Sequence, residues 1–128
     1  ASVTNSASAS ASGNNASVTD SSYAQADGAG AKVTSSKSAT AVGNDAIVTN
    51  SGSGVAIGNN AKLDSAADGI AIGSSANVTS VANGIAIGKN AVVRSGCLEC
   101  KVLCSYRKRR IIDDLLHAYE TKLCHVSG

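Results

Sequence analysis

Residues Gly69 to Val93 read GIAIGSSANVTSVANGIAIGKNAVV. The string Gly-Ile-Ala-Ile-Gly starts at Gly69 and again at Gly84, a step of 15 residues. Gly13, Gly28, Gly43, Gly58, Gly73 and Gly88 keep the same step along the chain. Two places before them stand Ala11, Ala26, Ala41, Ala56, Ala71 and Ala86. Three places after come Ala16, Ala31, Ala46, Ala61, Ala76 and Ala91, and five places after come Val18, Val33, Val48, Leu63, Val78 and Val93. Thr19, Thr34, Thr49 and Thr79 follow in four of the six copies, and Ala1–Thr4 fits the end of a further one. Columns that stay in phase over six copies define a repeat, and a period this short belongs to a solenoid.

A two-helix repeat needs about 33 residues or more. Each copy instead holds two short β-type runs, Val/Ile-Ala-Ile and Ala-x-Val-Thr, punctuated by Gly, Asn, Asp and Ser. These punctuating residues accept the left-handed backbone of tight corners. One copy therefore predicts one coil of two short strands, with coils stacked about 4.8 Å apart through parallel ladders. The fold class is all-β, a parallel β-roll.

Alternation along a strand separates two faces. In Val55-Ala56-Ile57, Ala56 points one way and its neighbours the other. A roll this narrow favours the alanine column, Ala11 through Ala86, as its interior. The six corner glycines turn the chain, and the large side chains are expected to gather on an outer stripe. That stripe is Val55, Ile57, Ile70, Ile72, Ile85 and Ile87; the equivalent pairs are Ser10/Ser12, Gln25/Asp27 and Thr40/Val42 in the first three copies. Burial of each Val or Ile contributes about 1.5–3 kcal/mol, enough to drive association. The stripe is expected to be a subunit interface, tight toward residue 90 and loose toward residue 1. A monomeric roll with an exposed aliphatic stripe is the alternative, and such a stripe is a solubility liability.

The rest of the composition supports a repetitive fold with a different C-terminal segment. The chain of 128 residues has no Pro, Met, Trp or Phe. Residues 1–96 hold no Cys, His or Glu, a single Leu, and five basic residues against five acidic ones. Residues 97–128 hold all four Cys, both His, and six basic residues against four acidic ones. The net charge of +2 thus belongs to the second segment and is too small to imply a nucleic-acid partner. No signal peptide and no apolar run of membrane-spanning length is legible, so this segment is expected to make no membrane contact, with export and anchoring parts lying elsewhere.

Ser53–Ala61, Asp68–Ala76 and Asn83–Ala91 resemble the head repeats of YadA-like trimeric autotransporter adhesins, whose motif reads roughly Asn-Ser-Val-Ala-Ile-Gly-x-x-Ala/Ser. The resemblance covers about residues 1–96, and 41–95 most closely. It implies a left-handed β-roll, a homotrimer, and display on the outer membrane of a Gram-negative cell. It also implies a virulence-associated role in attachment to extracellular matrix such as collagen, or to host cells, with neither catalytic site nor cofactor. Gly54, Gly69 and Gly84 depart from the motif, which has Ser there, and the family's neck, stalk and membrane barrel have no counterpart in the chain.

In the second segment, Ile112, Leu115, Leu116, Tyr119 and Leu123 fall at helical spacing and predict a short amphipathic helix over 108–123. Cys97, Cys100, Cys104 and Cys124, with His117 and His125, leave a zinc site, disulfides or reduced idle thiols open; the spacing is loose for zinc. Arg107-Lys108-Arg109-Arg110 reads as a solvated basic turn, with a protease-processing or nucleic-acid patch as the alternative. The abrupt change after Ser95 is also what a fusion or a shifted reading frame produces.

Three rivals to adhesion remain. An enzyme is not expected, because the repeat has no His, Cys or Glu and its acids are scattered on turns. An ice-binding solenoid needs a flat two-rank Thr face; Thr19/Ser21, Thr34/Ser36 and Thr49/Ser51 form partial ranks that break at Asp64/Ala66. A non-binding structural spacer of a surface fibre is the most serious, since a smooth rod serves either purpose.

Overall fold

A computed structural model describes residues 1–94 and the strand Leu103–Cys104. The predicted helix at 108–123, the basic run and the histidines lie outside the described residues. So do the cysteines, except for the backbone of Cys104.

Strands alternate between two sheets. The first contains β1 (Ser2–Thr4), β3 (Ser17–Thr19), β5 (Lys32–Thr34), β7 (Ile47–Thr49), β9 (Lys62–Asp64), β11 (Asn77–Thr79) and β13 (Val92–Arg94). The second contains β2 (Ser10–Ser12), β4 (Gln25–Asp27), β6 (Thr40–Val42), β8 (Val55–Ile57), β10 (Ile70–Ile72), β12 (Ile85–Ile87) and β14 (Leu103–Cys104). All pairing is parallel. From β1 to β13 each strand meets the one a full repeat later, as in Val48↔Leu63 and Ile70↔Ile85. The described residues form an all-β solenoid of six full coils of 15 residues, with no helix among them.

The corners explain the period. Each coil turns at left-handed positions, in the second coil Asn15 (φ 63°), Asp20 (φ 51°) and Tyr23 (φ 60°). Asn, Asp, Ser and Gly fill nearly all equivalent positions, because short polar side chains tolerate that backbone. At the first corner the six glycines take φ from +118° to +137°, a region where a Cβ is not accommodated. Gly58 shows the second constraint: a Cβ there would stand 2.6 Å from the carbonyl oxygen of Gly73 in the next coil. Glycine is stacked on glycine, and the coils close up over the gap.

The interior is a set of stacked columns. Ala26, Ala41, Ala56, Ala71 and Ala86 are wholly buried, and Ala11, on the first strand of its sheet, is half-buried against the core. The other sheet turns Val18, Val33, Val48, Leu63, Val78 and Val93 inward, the largest wholly buried side chains. The expectation that large side chains gather on one outer stripe is therefore corrected: they are divided between that stripe and the core. Two sheets must both seal the inside, and alanine from one leaves space for valine from the other.

The threonine–serine pairs are corrected too. Thr19, Thr34 and Thr49 end outward-facing strand positions, but the corner that follows turns Ser21, Ser36 and Ser51 inside, where they are wholly buried. They do not form one face. Each hydroxyl donates to a carbonyl two residues back, Ser36 Oγ to Thr34 O at 2.7 Å. It also accepts from the next coil, as Ser51 N–H donates to Ser36 Oγ at 2.9 Å. Among the described residues no buried side-chain polar atom lacks a partner.

Candidate interaction surface

The second sheet presents Val55, Ile57, Ile70, Ile72, Ile85 and Ile87 on its outer side, because the alanine between each pair points inward. The parallel register stacks them as two ranks: Val55, Ile70 and Ile85 in one, Ile57, Ile72 and Ile87 in the other. Val42 extends the second rank by one coil. Ile57 is 38 % exposed and Ile87 is 42 % exposed, large aliphatic groups facing water on the outside of the sheet.

The same ranks continue through Thr40, then Gln25 and Asp27, then Ser10 and Ser12. The outer face thus turns from polar to apolar between the third and fourth coils. The interior changes at nearly the same place. The hydroxyl column Ser21, Ser36, Ser51 gives way to Ala66, whose N–H donates to Ser51 Oγ at 2.9 Å, and then to the half-buried Val81. Ala24 and Ala39 give way to Gly54, Gly69 and Gly84. Packing explains these glycines where the sequence left a departure: a Cβ on Gly54 would collide with a δ-methyl of Leu63, and one on Gly84 would lie 2.8 Å from Val78 Cγ1.

The first sheet faces outward with a mixed surface. Lys32/Thr34, Ile47/Thr49, Lys62/Asp64 and Asn77/Thr79 succeed one another, and only Thr79 and Asn77 join hands, at 2.8 Å. The acidic residues are not all on turns as expected: Asp27 and Asp64 end strands, while Asp20, Asp45 and Asp68 sit at left-handed corners. Among the described residues no three metal-ligating side chains cluster, and no helix is long and apolar enough to cross a membrane.

One exposed residue was missed in the sequence. Tyr23 occupies a left-handed corner and is 63 % exposed. The signal was available, since the same column reads Ser8, Ser38, Ser53, Asp68 and Asn83 elsewhere. Comparison of the chain with protein-family models and with curated proteins finds no match.

Proposed function

We propose that residues 1–96 are the head of a trimeric, surface-displayed adhesin that attaches a Gram-negative cell to extracellular matrix or to host cells. The observation that carries the reading is the pair of aliphatic ranks on the outside of the second sheet, joined to a repeat that resembles YadA-like heads. Six Val and Ile side chains on one outer face are a poor surface for a lone rod in water. Packed against sister chains in parallel, in-register order, they meet one another, while the like-charged Asp27 carboxylates come together at the other end and hold it loose. An antiparallel order would press Asp27 against isoleucine, which desolvates a carboxylate without a partner. The first sheet, with lysine, threonine and asparagine outward, then remains free for a ligand.

The solution mass of the full chain, by light scattering with and without reductant, tests the assembly. A trimer in both conditions supports the stripe as the subunit contact; a trimer lost with reductant assigns it to disulfides; a folded monomer in both sinks the interface. Solid-phase binding to collagen, fibronectin and laminin tests adhesion. Saturable binding to one of them supports it, and a trimer that binds none is a spacer.

A further inference from the structure

The two ends of the roll differ. Val3 and Val93 stand in one interior column, on the first and last strands of the first sheet. Val3 has no strand beyond it among the described residues and is 43 % exposed. Val93 also has no strand beyond it in its sheet among the described residues, yet it is wholly buried, and Ala91 is buried with it. The core is open at Val3 and sealed at Val93. Repeat rods expose an apolar column at each end unless a terminal element unlike the repeat covers it.

The second sheet carries such an element. β14 runs parallel to β12, with Ala86 beside Leu103 and Ile87 beside Cys104. Ala86 to Leu103 is a step of 17 residues, where Ala71 to Ala86 is a step of 15. A further step of 15 would set Lys101 in the alanine column, against the apolar core. An ammonium group taken from water without a partner is costly there. Because side chains alternate with a period of two, a step longer by two residues keeps the faces in phase. It brings Leu103 to the place that Lys101 would have taken. Leucine offers more apolar area than alanine, which suits a position beyond which no coil stacks. β14 also pairs the edge of β12, and a free edge is a template for another chain.

We infer that β14 is a built-in cap of the roll, with Leu103 at the closing position of the alanine column. The sequence that follows Arg94 is then tied to the rod through this strand, although its composition is foreign to the repeat. The cap stands whether or not the rod adheres.

The full chain is compared with Leu103→Lys, Leu103→Met and Val3→Lys by melting temperature and amide hydrogen exchange. Leu103→Lys is expected to melt lower and to exchange on the order of tenfold faster in β12 and β13, with β3 and β4 unchanged. Leu103→Met, of similar volume, is expected to match the full chain. Val3→Lys is expected to change little, because that end is open already. A Leu103→Lys protein with the melting and exchange of the full chain overturns the cap. So does a Val3→Lys protein that loses as much as Leu103→Lys, since the two ends are then alike. Equal loss in Leu103→Met overturns it as well, since apolar cover is then not what the position supplies. Faster exchange along the whole rod in Leu103→Lys alone keeps the cap and shows that the coils open as one unit.

Discussion

A δ-methyl group of Leu63 fills the space that a side chain on Gly54 would need. Both residues are buried, and Leu63 is the only leucine before the segment that begins at Cys97. The coil before pairs Ala39 with Val48 in the same two columns. One coil thus exchanges a methyl for a methylene at constant volume. Gly54→Ala is expected to cost about 1–3 kcal/mol through overpacking. Leu63→Val alone is expected to cost about 0.5–1.5 kcal/mol, as for other single-methylene losses. The double variant restores the pairing of the coil before and should cost less than the sum, a coupling that a double-mutant cycle in urea reads directly.

Gly58 and Gly52 provide an internal control for the corner. Gly58 holds φ 136°, and a Cβ on it meets the Gly73 carbonyl, whereas a Cβ on Gly52 meets nothing within 4 Å. Gly58→Ala must therefore either open the coil stack or distort the corner, and is expected to cost at least about 1–3 kcal/mol. Gly52→Ala should change stability by less than about 0.5 kcal/mol. Equal denaturation midpoints for the two variants would contradict the stacked-glycine account.

The buried serines tie coil to coil. Ser36 Oγ accepts from Ser51 N–H at 2.9 Å and donates to Thr34 O at 2.7 Å. Ser36→Ala leaves that buried N–H without an acceptor, for an expected loss of about 1–3 kcal/mol. Hydrogen exchange should locate it: the Ser51 amide loses protection in Ser36→Ala, while the amides of β12 stay as they were. Uniform loss along the rod would show instead that the coils unfold as one unit.

The period, the two strands per coil and the inward alanines were legible because each is a local rule repeated in phase. Gly58 shows its corner in one copy, and six copies remove the ambiguity. The serine column was not legible. Thr34-Ser35-Ser36 looks like alternation on one strand, but Ser35 takes φ 51° and rotates Ser36 to the inside. A corner inside a run of small polar residues leaves no mark on composition. Gly54 was visible only as a departure from a motif, because its cause, Leu63, lies on the opposite sheet. Tyr23 was legible in principle as the odd member of its column, and was hidden by reading the columns for what they share.

The outer ranks give the prediction on which the proposed assembly depends. Ile72 lies in the middle of the apolar stretch, between Ile57 and Ile87 in the register, and Ser12 lies in the same rank at the polar end. Neither points into the roll, so an aspartate at either position leaves the interior columns intact. Ile72→Asp places a carboxylate among aliphatic side chains, where a buried contact would leave it unpaired, at a cost of several kcal/mol. If the ranks hold sister chains together, the full-length Ile72→Asp protein falls to a monomer in light scattering while circular dichroism still reports β structure. Ser12→Asp, at the loose end, should keep its assembly. A monomeric Ile72→Asp beside an assembled Ser12→Asp assigns association to the C-terminal coils. Two assembled variants would move the subunit contact off the second sheet altogether.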